Sequence, residues 1–362
     1  MKSVHEWAWF CVQKRSIATK LGVQKRSNGK FVCFFLMLFL SNKEKSCPCD
    51  IEARYQSLYI LKNLLRKDGR NLKSTTKKTT IKLGASAVFA TGITLASRFD
   101  LAISSALSGL TQKGNVFTLS VPKFASLLEI IGEWAPSLLA ATSLLVVASE
   151  GAKKFPKYET KLKIASLVPT TALMAYATSK TAEYLHYNLS GASGAAMVAA
   201  VAFVIAAILY LLVGRIPENA RKNLFMPAAY TLAASIAVLM TVSSIKTIWG
   251  RVRLRELVDM NSLEEFTPWY HPNFFSGSYS FPSGHTAPAT LLLMLPKWLF
   301  GKGEKYRPAL TAVCFGFIVL MAFSRLAAGA HFLSDILFGF LIAFGITEAM
   351  KKRYEKKCHP KL

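Results

Sequence analysis

The feature that most constrains this chain is an alternation. Long apolar runs, nearly free of charge, are separated by short connectors crowded with Lys and Arg. Hydrocarbon offers the backbone no hydrogen-bond partners, so runs of this kind cross a bilayer as helices. Of the 362 residues, 52% are apolar, more than a soluble domain usually carries. The pattern predicts an all-α integral membrane protein, a helical bundle of about eight transmembrane spans. The spans are expected near residues 81–97, 127–149, 164–179, 194–213, 224–245, 286–300, 309–323 and 332–350. Residues 101–119 are weakly apolar and suit an interfacial helix.

Four stretches follow from this division. Residues 1–80 form a basic N-terminal extension, either cytoplasmic or the product of a mis-called start. Their one apolar run, 31–40, is too short to span a bilayer and precedes no cleavage site. Residues 81–224 hold spans one to four, residues 225–350 hold the remaining spans and every chemical motif, and residues 351–362 form a basic cytoplasmic tail. The formal charge of +25 is spread over the connectors rather than gathered into one patch. This argues against nucleic acid and for anionic lipid headgroups as its partner. Of the six cysteines, Cys47 and Cys49 stand too close for a usual zinc site and have no second pair. No disulfide framework or metal site is expected.

Charge also sets the orientation. With the N-terminus in the cytoplasm, connectors 150–163, 214–223 and 297–308 and the C-terminal tail fall inside, and all are basic. Connectors 98–126 and 180–193 fall outside and carry few cations. One outer loop, 246–282, breaks the rule with Lys246, Arg251, Arg253 and Arg255. Cations placed against the topological rule need another reason, and an anionic substrate supplies one. The style of the connectors suits a bacterial plasma membrane with both termini cytoplasmic and the site extracytoplasmic.

The chemistry gathers at the ends of the later spans. His331 and Asp335 lie four apart and share a helix face, where a carboxylate fixes an imidazole's tautomer and orientation. An interfacial histidine beside a first-turn acid fits the spacing equally well. Arg325, six residues before His331, is presented at the same membrane face and suits bidentate phosphate contact, or snorkelling at a helix end. In Pro282-Ser283-Gly284-His285, Ser283 suits a helix cap, Gly284 allows close backbone approach, and His285 stands ready as a general acid. Lys246 and Arg253 are seven apart and share one face if the fifth span continues as helix, though Gly250 weakens that continuity. Arg251 and Arg255 fit either a second phosphate or interfacial anchoring.

Together these segments resemble the type 2 phosphatidic acid phosphatase superfamily, whose motifs are K-x6-R-P, P-S-G-H and S-R-x5-H-x3-D. Here they read Lys246-x6-Arg253, Pro282-Ser283-Gly284-His285 and Ser324-Arg325-x5-His331-x3-Asp335, with Leu254 in place of the family proline. The resemblance is specific over about residues 225–349. It implies a six-helix phosphatase core within the bundle. His331 would be the nucleophile forming a phosphohistidine, Asp335 its partner, and His285 the general acid and then base. Lys246, Arg253, Ser283, Gly284 and Arg325 would hold the phosphate. It implies no metal and no cofactor. Leu254 is expected to alter loop geometry and substrate preference rather than abolish activity.

The implied activity is hydrolysis of a lipid phosphate, such as undecaprenyl pyrophosphate, phosphatidylglycerophosphate or phosphatidic acid. A lipid-to-lipid phosphotransferase needs the same phosphohistidine. A vanadium-dependent haloperoxidase shares the constellation, but such proteins are largely soluble. A transporter would place its ionisable residues near the bilayer midplane rather than at one face.

Overall fold

The computed structural model describes residues 84, 86–187, 189 and 191–358. The basic extension 1–80, its apolar run and Cys47/Cys49 lie outside the described residues, as do the last residues of the tail. The regular elements of the described residues are helical apart from one small hairpin. Helix α1 is Ser86–Leu107. Strands β1 (Thr111–Lys113) and β2 (Val116–Thr118) follow, then α2 (Lys123–Gly151), α3 (Glu159–Ala165), α4 (Leu167–Tyr184), α5 (Gly191–Arg215) and α6 (Glu218–Trp249). The C-terminal part holds α7 (Leu254–Asp259), α8 (Thr286–Thr290), α9 (Arg307–Ala327) and α10 (Leu333–Cys358).

Helix α2 is the hub, packing against α4, α5, α6 and α9. Small residues at its contacts, among them Gly132, Ala140, Ala141 and Ser143, are buried and let neighbouring backbones approach. The main core sets Leu139 of α2 against Val238 and Val242 of α6, Leu292 beyond α8, and Ile318 and Met321 of α9. Outward faces keep large apolar side chains exposed, including Phe203 and Leu211 on α5, Leu239 on α6 and Leu320 on α9. A bilayer satisfies such faces; water does not.

Six of the eight expected spans coincide with helices long and apolar enough to cross a membrane, and the structure departs from expectation in three places. Six segments among the described residues are long and apolar enough to cross a membrane: Ser86–Leu107, Lys123–Lys154, Gly191–Arg215, Glu218–Asp259, Gly301–Ala327 and Leu333–Lys357. The expected third span is present as α4, but it is not among these six. The expected sixth is interrupted: α8 runs five residues, then tightens into a 3-10 segment, Leu291–Trp298, with Pro288 and Pro296 along the way. Residues 101–119 are not an interfacial helix. Helix α1 continues through Leu107, and the chain then turns back through the β1–β2 hairpin at Gly114-Asn115.

Every element that bears a motif places its bearing end at the same end of the bundle. These are the C-terminal ends of α6 and α9 and the N-terminal ends of α8 and α10. The opposite end carries the ion pairs of Glu150 with Lys153 and Arg221.

Candidate active site

Helix α6 ends at Trp249 because Gly250 turns the chain into the left-handed region, at φ 63°. A side chain there would also strike the Asn273 carbonyl, 2.0 Å from the position of its first carbon. Lys246 and Arg253 therefore do not share one continuous helix face. Lys246 sits in the last turn of α6, and Arg253 is the residue before α7. The turn still brings both side chains to one cavity. Glu256 steadies Arg253, accepting from its backbone N–H at 2.9 Å and from Nη1 at 3.1 Å. Lys246 Nζ donates to the Tyr279 carbonyl at 2.5 Å.

The cavity measures about 310 Å3 and is lined by Lys246, Arg253, Arg255, Gly284, His285 and His331, among others. Apolar α6 residues Val238 and Leu239 form part of the same lining. Of the eight residues expected at the site, five face this space. Asp335, Ser283 and Arg325 stand behind it. Ser283 is fully buried, three residues before α8: its Oγ accepts the Thr286 N–H at 3.3 Å and lies 3.0 Å from Thr286 Oγ1. Arg325 is fully buried as well, with Nη1 2.5 Å from Glu129 Oε1 and Nη2 donating to the Ala125 carbonyl at 2.8 Å. Arg325 does not line the cavity, and its cation is paired with Glu129.

His331 follows the compact turn between α9 and α10 and is almost wholly buried. Its Nδ1 lies 3.7 Å from Asp335 Oδ2, too far for a hydrogen bond, and has no closer polar partner among the described residues. Burial, reinforced by the charges of Lys246 and Arg253 and opposed by Asp335, brings the His331 pKa down to about 3. The ring is therefore held neutral, with a lone pair available on one nitrogen.

Asp335 is fixed from several directions. Oδ2 accepts from Ser280 Oγ at 2.5 Å and from the Phe332 N–H at 2.8 Å, and Oδ1 accepts from Arg251 Nη1 at 2.7 Å. Arg251 does not face the cavity. It is fully buried, pairs with Asp100 of α1 at 2.9 Å, and lies 4.2 Å from the Phe332 ring centroid. Asp100 also accepts the Ser334 N–H at 3.0 Å, so an α1 side chain caps the start of α10. The second-phosphate reading thus fails for Arg251 and stays open for Arg255, which lines the cavity.

On the other side, His285 Nε2 lies 3.1 Å from Glu133 Oε1 and 3.3 Å from the Tyr184 hydroxyl. Sequence reasoning missed Asp100, Glu129, Glu133 and Tyr184. The available signal was two acids four apart inside an apolar run, since ionisable residues in membrane helices mark functional surfaces. No group of three or more His, Cys, Asp or Glu stands close enough to hold a metal among the described residues. Chemically, the cavity offers a neutral imidazole, a second imidazole and a wall of cations. That set suits an anion carrying an electrophilic centre.

Leu254, where the resembled family has proline, is the first residue of α7 and is fully buried, packed in a cluster with Leu257 and Phe332. A first helical position is the place where proline is tolerated without loss of a hydrogen bond. Leucine takes the same backbone role and adds core packing.

A stretch of the chain is 26% identical over 116 residues to phosphatidylglycerophosphatase B of Bacillus subtilis (strain 168). The match covers 30% of this chain and 57% of that protein. No solved structure matches. The family model described as PAP2 superfamily matches residues 224–357, the segment that contains all three motifs. Over that segment the chain is similar to the PAP2 superfamily.

Proposed function

We propose that this protein is a membrane lipid phosphatase that works through a phosphohistidine and needs no metal. The observation that carries the reading is His331: a buried imidazole at a cavity shared with Lys246, Arg253 and His285, where burial and the neighbouring cations favour the neutral ring. A neutral imidazole facing fixed cations suits attack on phosphorus. The free His331 nitrogen bonds to phosphorus as the bond to the lipid oxygen breaks, and His285 donates a proton to that leaving oxygen. Asp335 stabilises the charge that develops on His331. His285 then takes a proton from water, which attacks the phosphohistidine and frees inorganic phosphate and His331. Lys246 and Arg253 stabilise the non-bridging oxygens throughout.

The apolar side of the cavity, with Val238 and Leu239 on a helix that itself suits a membrane span, favours a lipid phosphate over a soluble one. The basic connectors at the opposite end of the bundle favour an extracytoplasmic site in a plasma membrane. The Bacillus relative is named for phosphatidylglycerophosphate, so that lipid comes first, beside phosphatidic acid and undecaprenyl pyrophosphate.

The test is phosphate release by detergent-purified protein in EDTA, with His331→Ala as control. Release that persists in EDTA and vanishes in the control supports the reading. Release abolished by EDTA overturns metal independence. Transfer of phosphate to a second lipid without release turns the reading to a phosphotransferase. Equal release by both proteins overturns His331 as nucleophile.

A further inference from the structure

The phosphate cavity contains an anion that the reaction above does not use. Glu133 lines the same space as Lys246 and His331, and a carboxylate there opposes the binding of a phosphate. Its position implies a compensating task. Glu133 and the Tyr184 hydroxyl both reach one nitrogen of His285, Nε2, at 3.1 and 3.3 Å, and the hydroxyl lies 3.3 Å from Glu133 Oε1 as well. No hydrogen bond engages His285 Nδ1 among the described residues. The helix backbone completes the clamp. A side-chain carbon added at Gly132 would stand 3.3 Å from His285 Cδ2 and 2.5 Å from Met321 Cε, so the missing side chain lets α2 lie close to the ring.

A carboxylate on one imidazole nitrogen fixes the tautomer and leaves the other nitrogen to exchange protons with substrate. We propose that Glu133, supported by Tyr184, is a positioning residue for His285. It holds the proton on Nε2 and presents Nδ1 to the leaving oxygen and then to water. In the first step, Nδ1–H gives its proton to the departing lipid oxygen, and Glu133 keeps the Nε2–H of the resulting neutral ring. In the second step, Nδ1 takes a proton from water, and Glu133 faces the imidazolium so formed. The carboxylate itself is neither protonated nor bound to phosphate. Glu133 belongs to α2, outside the 224–357 segment that the family model matches. The proposal rests on the reading of His285 as general acid.

A general acid matters in proportion to how poor the leaving group is, and that gives a test which a purely structural role would not pass. Full-length wild type, Glu133→Gln, Glu133→Asp, His285→Ala and the double variant Glu133→Gln/His285→Ala are assayed on phosphatidic acid and on 4-nitrophenyl phosphate. The first substrate has an alkoxide leaving group; the second needs no protonation. Glu133→Gln is expected to lower kcat on phosphatidic acid roughly 10- to 100-fold, a share of what general acid catalysis supplies. On 4-nitrophenyl phosphate it is expected to slow the pre-steady-state burst of 4-nitrophenolate, which reports the first step alone, less than about threefold. Glu133→Asp is expected to restore part of the loss, and Glu133→Gln is expected to add nothing in the His285→Ala background.

Equal losses on the two substrates, or full additivity with His285→Ala, overturn the positioning role and leave Glu133 a structural residue. No loss on phosphatidic acid overturns it outright. If His285→Ala matches wild type on phosphatidic acid, the general-acid reading of His285 fails first and takes this role with it. If wild type releases no phosphate at all, the phosphatase reading itself fails.

Discussion

Arg251 shows how a residue two positions from a motif cation takes on a different task. Its guanidinium bridges Asp100 and Asp335, donates to the Thr267 carbonyl at 2.8 Å, and lies against Phe332. Only a planar fork with several donors satisfies these partners together. Arg251→Ala would leave two buried carboxylates without their cation, which costs about 3–5 kcal/mol. The variant is expected to melt earlier and to lose phosphate release. Arg251→Lys is expected to recover stability only in part, since one ammonium cannot reproduce the fork; thermal melts of the pair check this. His331 allows a second expectation. Its pKa, brought from 6.5 to about 3, lies below the unfolded value, so the native state binds fewer protons. The stability it contributes is present above pH 6.5 and is lost as pH falls toward about 3. Nitrogen resonances of His331, assigned by their loss in His331→Ala, should remain those of a neutral ring through pH 6.5; protonation there would overturn the assignment. At this scale the sequence was legible wherever covalent spacing carries the chemistry, as in His331/Asp335 and Ser283/His285. It was silent where partners come from distant helices, as Asp100 and Glu133 do, because no local spacing links them to their targets.

Elements position these residues by how closely they approach. Helix α10 passes the Ser283 backbone at Gly339, where an added carbon would meet the Ser283 carbonyl oxygen at 2.9 Å and its nitrogen at 3.2 Å. The Ser283 N–H donates to the Asp335 carbonyl at 2.8 Å, so this contact also spaces His285 from His331. Gly339→Ala must push α10 away from the Ser283 segment. The expected result is a loss of about 1–3 kcal/mol from overpacking, with a fall in phosphate release larger than the change in melting temperature alone explains. Circular dichroism melts beside activity check it. Leu254 gives the complementary case. Leu254→Pro keeps an allowed backbone at the start of α7 but gives up part of a buried side chain. It is expected to retain activity and to lose less than the ~2–5 kcal/mol typical of a buried Leu→Ala change. The helices were legible from their apolar runs, most clearly α5. The interrupted sixth span was not, because its composition stays apolar through Pro288 and Pro296 while its backbone does not stay regular.

Across the whole molecule, the candidate site is divided between the segment that matches the family and the helices before it. Residues 224–357 carry every motif residue, yet Asp100 comes from α1, Glu129 and Glu133 from α2, and Tyr184 from α4. The three motifs are therefore complete in sequence before the site is complete in space. Asp100 tests this division most directly, because it touches α10 without lining the cavity. It accepts the Ser334 N–H and pairs with Arg251, which in turn holds Asp335. Asp100→Asn keeps an acceptor for Ser334 and removes only the charge, whereas Asp100→Ala removes both. If α1 fixes the start of α10, Asp100→Ala is expected to lower kcat by about 10²-fold, the scale of a misplaced catalytic group. KM should hold, since Lys246 and Arg253 are untouched, and Asp100→Asn should fall between wild type and Asp100→Ala. Steady-state phosphate release across a range of lipid concentrations separates the two constants. A rise in KM at constant kcat would mean that α1 shapes the cavity instead, and that residues 224–357 orient His331 without it.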